Sequence, residues 1–184
     1  MGSSVKINGL IVLVSALLWV LAFQLHAAWL PFLSHAPGID LIFMPSGVRL
    51  LLLMIGGPWA ASGVALGSVF LVDGQFGISN LGVTALIAPV SGFGPYAALR
   101  LTQRLFGISP SLGNLAAWHL PVISLGVGIG SSVIHNLLFA LLGLEPWSSL
   151  PGNLLAMAMG DFLGSFLLIV LAVGSLRLYR RINP

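Results

Sequence analysis

Long apolar runs, separated by short clusters of glycine, proline, asparagine and aspartate, dominate the chain. Runs of this kind with almost no charge can cross a bilayer as helices. Six spans are predicted, at residues 8–30, 40–56, 58–72, 78–99, 115–142 and 151–176. The second is unusual, because Pro45-Ser46-Gly47 interrupts its apolar run. Proline lacks the backbone donor and suits a first helical position. A helix from Pro45 to the Gly56-Gly57-Pro58 stop rises only about 18 Å, against a bilayer core of about 30 Å. Residues 40–44 are therefore expected to enter the membrane without helical structure, under cover of surrounding protein. Gly63-x-x-x-Gly67 in the third span and Gly126-x-x-x-Gly130 in the fifth permit close approach of neighbouring backbones. Pro89 and Pro95 predict a kink or break near residues 91–94 in the fourth.

Composition agrees with a membrane protein. Of 184 residues, 58% are hydrophobic and 6% charged, where a soluble domain carries about 25% charged residues. A single all-α, polytopic bundle over residues 1–184 is expected. Lys6 before an apolar stretch also fits a signal peptide, but the run is long for one and no cleavage site follows it. The absence of cysteine excludes disulfides, thiolate metal sites and a cysteine nucleophile. No histidine pair has a metal-binding spacing, so no metal and no cofactor is expected. No basic stripe with interleaved aromatics marks a nucleic-acid surface.

Charge sets the orientation. With the N-terminus inside, Lys6, Arg100, Arg104, Arg177, Arg180 and Arg181 all fall on the cytoplasmic side, and Asp40, Asp73 and Glu145 fall outside. This follows the positive-inside rule and puts both ends of the chain in the cytoplasm. Trp29 and Trp147 then lie at the outer interface, where amphipathic rings are favoured.

Arg49 and Asp161 are the two charged side chains placed within spans, at depths of roughly 12 Å and 15 Å from the outer end. A charge in hydrocarbon needs a partner or a purpose. His135 and Asn136 lie about 10 Å from the outer end of their span, and Ser46 is near Arg49. These groups share the outer half of the bilayer and form the candidate ligand site. Arg49 would grip an anionic group, helped by the helix start at Pro45. A purely structural Arg49–Asp161 pair is the competing reading, and a hydrogen-bonded packing histidine is the competing reading for His135. His119 is placed near the cytoplasmic interface, His26 and His35 near the outer surface. Ser131-Ser132 followed by His135 suggests a serine hydrolase, but these residues share one helix and lack a Gly-x-Ser-x-Gly turn. No catalytic residue is assigned and no enzyme is expected.

Two passages carry a resemblance. Met44-Pro45-Ser46-Gly47-Val48-Arg49-Leu50 with Gly57-Pro58-Trp59 and Gly63-Val64-Ala65-Leu66-Gly67, and Met159-Gly160-Asp161-Phe162-Leu163-Gly164, are similar to motifs of the membrane-associated sensor domain, first type. The resemblance implies an integral membrane sensory region of a bacterial inner membrane. That family commonly has eight spans and a signalling domain; this chain has about six and none follows. The expectation is a binding module that takes a small molecule, anionic in class, in an outer-half pocket and acts through a membrane or cytoplasmic partner protein. Two alternatives stay open: a substrate-binding S-component of an energy-coupling-factor vitamin transporter, or an accessory subunit of a membrane complex.

Overall fold

A computed structural model describes residues 2–72, 74 and 80–182. Helix α1 covers Gly2–Trp29, α2 Pro45–Val69, α3 Leu81–Leu105, α4 His119–Leu141 and α5 Leu150–Ile182. All five contain stretches long and apolar enough to cross a membrane, which marks a multi-pass membrane protein. Between α1 and α2 lie a 3-10 turn at Pro31–Leu33 and a small antiparallel hairpin, β1 (Ser34–Ala36) with β2 (Ile39–Asp40). The turn expected at residues 73–77 lies outside the described residues apart from Gly74.

The second and third expected spans fall within one element. Within Pro45–Val69 two helical segments, 45–56 and 58–69, meet at a kink at Gly57. Gly57 itself has φ 55° and ψ −132°, a conformation that a residue with a Cβ rarely adopts. Neighbours on α1 show what this does to the path. Pro45 and Val48 share a crevice with Leu25 and His26, and Leu52 and Gly56 share one with Leu10 and Ile11. Beyond Gly57, Gly63 packs on Val12 and Ser15, and Gly67 on Ala16 and Trp19. The chain thus travels down α1 to residue 11, reverses at Gly57, and climbs back.

Helices α2, α3, α4 and α5 pack in sequence and close through α5 against α2, with α1 laid on the outside of α2. Leu10, Leu13, Leu17, Leu21 and Leu25 of α1 remain exposed. The break expected near residues 91–94 does not form: α3 runs unbroken through Pro89 and Pro95. Tertiary packing overrides the two missing donors there, since Gly92 sits against the backbone of Ala61 and Ala65 on α2. Asn80 caps α3, its Oδ1 accepting from the N–H groups of Gly82 and Val83.

Residues 41–44 are non-helical and regular helix begins at Pro45. The backbone of this stretch is tied to α5 and to the turn after α1. Its Phe43 N–H donates to the Gly160 carbonyl at 3.0 Å, and Leu41 N–H donates to Leu33 O at 2.8 Å. A Cβ at Gly160 would collide with the Asp40 carbonyl, and one at Gly164 with the Phe43 carbonyl. Glycine at these two positions of α5 therefore leaves the groove in which the extended backbone lies.

Candidate functional site: a buried arginine beside a small cavity

Ser46 and Arg49 come from the first turns of α2, Ser131 and His135 from one face of α4, Asp161 from α5 and Trp19 from α1. The start of α2 at Pro45 and the glycine groove on α5 bring them together. Arg49 is 3% exposed, as is Asp161. Arg49 Nη2 donates to Asp161 Oδ2 at 2.8 Å and to Ser131 Oγ at 3.3 Å. Its guanidinium carbon lies 5.5 Å from the centre of the Trp19 ring, within range of a cation–π attraction. Trp19 Nε1 in turn donates to Ser68 Oγ at 2.9 Å. Ser46 Oγ lies 2.8 Å from the Asp161 carbonyl and 2.7 Å from that of Phe43, joining α2, α5 and the extended segment.

The arginine is only partly satisfied. Its Nε has no hydrogen-bond partner among the described residues although it is buried. Beside it lies a small cavity of about 30 Å³, lined among others by Trp19, Gly38, Arg49, Ser68, Ser91 and His135. A water needs about 10–15 Å³ by this measure, so the space suits about two waters or a group of similar size. A second, open crevice of about 240 Å³ lies on the other side of Gly38, lined by Phe23, His26, Ser34 and Asp40 among others. Gly38, at the tip of the β1–β2 hairpin with φ 74°, borders both spaces. The hairpin tip thus borders both the crevice and the Arg49 cavity.

The hairpin is tied to α1 by a weaker pair, His26 Nε2 to Asp40 Oδ2 at 3.4 Å. Neither nitrogen of His26 makes a hydrogen bond among the described residues, although the residue is 6% exposed. Burial disfavours the charged carboxylate of Asp40 and outweighs the help from His26, so this carboxyl titrates above its usual range.

The five residues singled out from the sequence divide into two groups. Arg49, Asp161, Ser46 and His135 form one connected cluster, His135 through Ser131. Asn136 faces elsewhere: its Nδ2 donates to the Ser132 carbonyl and approaches Met157 Sδ at 3.3 Å, and it does not line the cavity. One residue of α4 separates the two faces, since neighbours on a helix do not point the same way. His135 Nδ1 lies 2.8 Å from the Ser131 carbonyl and 3.4 Å from Ser131 Oγ. The shorter contact commits Nδ1–H to the carbonyl, which leaves that nitrogen unable to draw a proton from the hydroxyl. His119 is buried rather than interfacial, with its Nδ1 accepting from the Ala116 N–H at 2.9 Å. His26 is likewise buried against Phe43, whereas His35 is exposed.

Trp19, Ser68, Ser131 and Gly38 were missed as site residues. Trp19 carried a signal: it sits mid-run, far from either expected interface, and an indole N–H there needs a buried acceptor. The others had none, because their positions depend on the fold of the hairpin and the reversal at Gly57. No protein-family model, curated protein or solved structure matches the chain.

Proposed function

We propose that this protein is an integral membrane binding module that detects a small anionic molecule in the cavity beside Arg49 and passes the event to a partner protein. The observation that carries this reading is a deeply buried guanidinium whose Nε has no partner among the described residues and which lines a small, partly polar space. A cation held only to neutralise Asp161 has no use for that space, and an anion could accept from Nε without displacing the Asp161 contact. Ser68, Ser91 and His135 supply further hydrogen-bonding groups around it. The reversal at Gly57 supports six passes, with Pro45–Gly56 and Pro58–Val69 as two short antiparallel legs. Both chain ends then lie in the cytoplasm of a bacterial cell, and the hairpin with its crevice faces outside. The resemblance to the membrane-associated sensor domain rests on the residues that build this site: Pro45-Ser46-Gly47 opens the arginine helix, and Gly160-Asp161 with Gly164 receives it.

The vitamin-transporter alternative is weaker, because a cavity for about two waters is far below the 300 Å³ or more of ordinary small-molecule pockets. The accessory-subunit alternative draws on the direct Arg49–Asp161 contact at 2.8 Å, which would also serve as glue between helices.

Trp19 fluorescence tests the reading. The purified chain in lipid nanodiscs, with Trp29, Trp59, Trp118 and Trp147 replaced by phenylalanine, is titrated with chloride, nitrate, formate, acetate and bicarbonate. A saturable change for one or more of them is expected, and its loss in Arg49→Lys with unchanged melting temperature. No saturable change with any small anion would overturn the anion reading.

A further inference from the structure

The end of the bundle away from the hairpin holds a different cavity, unconnected with the Arg49 site. It measures about 300 Å³ and is lined by the reversal at Gly57, by Tyr96, Arg100 and Gln103 of α3, and by Pro110 of the following loop. Gln103 is 3% exposed. Its Oε1 accepts from Arg100 Nη1 at 3.0 Å, the one hydrogen bond that the side chain makes among the described residues. The amide nitrogen is left over. Gln103 lines the cavity, so this nitrogen can donate to an occupant there. Arg100 is half-buried, and the Gln103 contact orients its guanidinium while leaving other N–H groups for a second acceptor. A phosphate takes such a donor set well.

The opposite wall has the opposite polarity. Pro58 has no N–H, so the Met54 carbonyl lacks the donor that a continuing helix would give it. The last carbonyls of a helix carry the negative end of its dipole and attract a cation. One cavity therefore presents a guanidinium and amide donor set on α3, and carbonyl acceptors at the Gly57 reversal. Ile55, which also lines it, is 85% exposed on the side a membrane covers.

We propose that this cavity binds the phosphoethanolamine head group of an aminophospholipid, with the phosphate on Arg100 and Gln103 and the ammonium on the carbonyls beside Gly57. The proposal is independent of any ligand at Arg49. Phosphatidylcholine fits poorly, since a quaternary ammonium donates no hydrogen bond, and phosphatidylglycerol lacks the cation.

Native mass spectrometry of the detergent-purified chain tests it, using phosphatidylethanolamine, phosphatidylcholine and phosphatidylglycerol with identical acyl chains. Retention of phosphatidylethanolamine at least about tenfold above the other two is expected, as loss of a charge-assisted hydrogen bond corresponds to about that factor. Gln103→Leu removes the unmet amide, is expected to fold, and should erase most of the preference. Arg100→Gln should do the same, while Arg104→Gln, an exposed neighbour, should leave it unchanged. Equal retention of the three lipids overturns the proposal, as does an unaltered preference in Gln103→Leu and Arg100→Gln. Free phosphoethanolamine that competes at the same concentration as the lipid would overturn the lipid as the source.

Discussion

Two ion pairs hold the region around the hairpin, and they are built to different standards. Arg49–Asp161 has a 2.8 Å contact with both side chains about 4% exposed or less, and serine hydroxyls sit around it. His26–Asp40 has a 3.4 Å contact without hydrogen-bond geometry, and its carboxylate is 16% exposed. The first pair lies deep among α2, α4 and α5, where a lone charge is cut off from bulk water. It must be well made or the fold fails. The second lies at the crevice, where water can reach the Asp40 carboxylate, and it can be loose. A loose tie beside the hairpin tip is suited to opening; a tight one beneath it is suited to keeping a site in shape.

The sharpest way to break this contrast is to remove one partner of the inner pair. Arg49→Leu and Asp161→Leu should each cost about 3–5 kcal/mol, because the survivor stays buried and unpaired. The double substitution should recover part of that loss. Thermal unfolding in detergent, with recovered folded protein as a second readout, measures all three. Losses that simply add would mean the two residues do not support one another.

The next largest effect should come from the groove that seats the extended segment. Gly164→Ala puts a methyl group into the Phe43 carbonyl, and forced overpacking costs about 1–3 kcal/mol. Gly152, on the same helix, meets nothing within 4 Å, so Gly152→Ala should be neutral or slightly stabilising. Equal melting temperatures for the two variants would mean that the groove is not what fixes residues 40–44.

Trp19→Phe keeps an aromatic face over Arg49 but strands the Ser68 hydroxyl. A loss of about 1 kcal/mol is expected from the missing hydrogen bond, smaller than any change to the inner pair. A loss as large as that of Arg49→Leu would make the indole, rather than the carboxylate, the main partner of the arginine.

Asp40→Asn should have the smallest effect and the clearest pH signature. Above the ordinary carboxylate range, up to its raised value, the folded chain keeps a proton on Asp40 that the unfolded chain has released. Stability from this group is therefore greatest at the acid end and falls as pH rises through that window. Asparagine cannot ionise, so the variant should lose this slope and melt slightly higher than the parent at neutral pH. A steeper slope in the variant would show that His26, not burial, governs the group.

Much of this was legible before the structure. A helix that starts at Pro45 and an extended approach through residues 40–44 followed from the chemistry of proline and glycine, which acts within a few residues. The meeting of Arg49 with Asp161 followed from scarcity, since two buried charges with no other counter-charge must find each other. Small-residue spacing announced close packing, and Gly63 and Gly67 do lie against α1. The expected break at Pro89 and Pro95 failed because a local rule about missing donors says nothing of the neighbour that braces the helix.

What apolar length and charge scarcity determined unaided is the class of molecule: a helical membrane chain with a costly arginine in its interior. What only the tertiary structure decided is which groups share a space with that arginine. Asn136 turned away, Trp19 and Ser68 turned in, and the tip of a hairpin came to border the cavity. The reason is range. Propensity and hydrophobic patterning act over a few residues or one helix turn, whereas the cavity is bounded by side chains from α1, α2, α3, α4 and α5, and its shape depends on the chain reversing at Gly57.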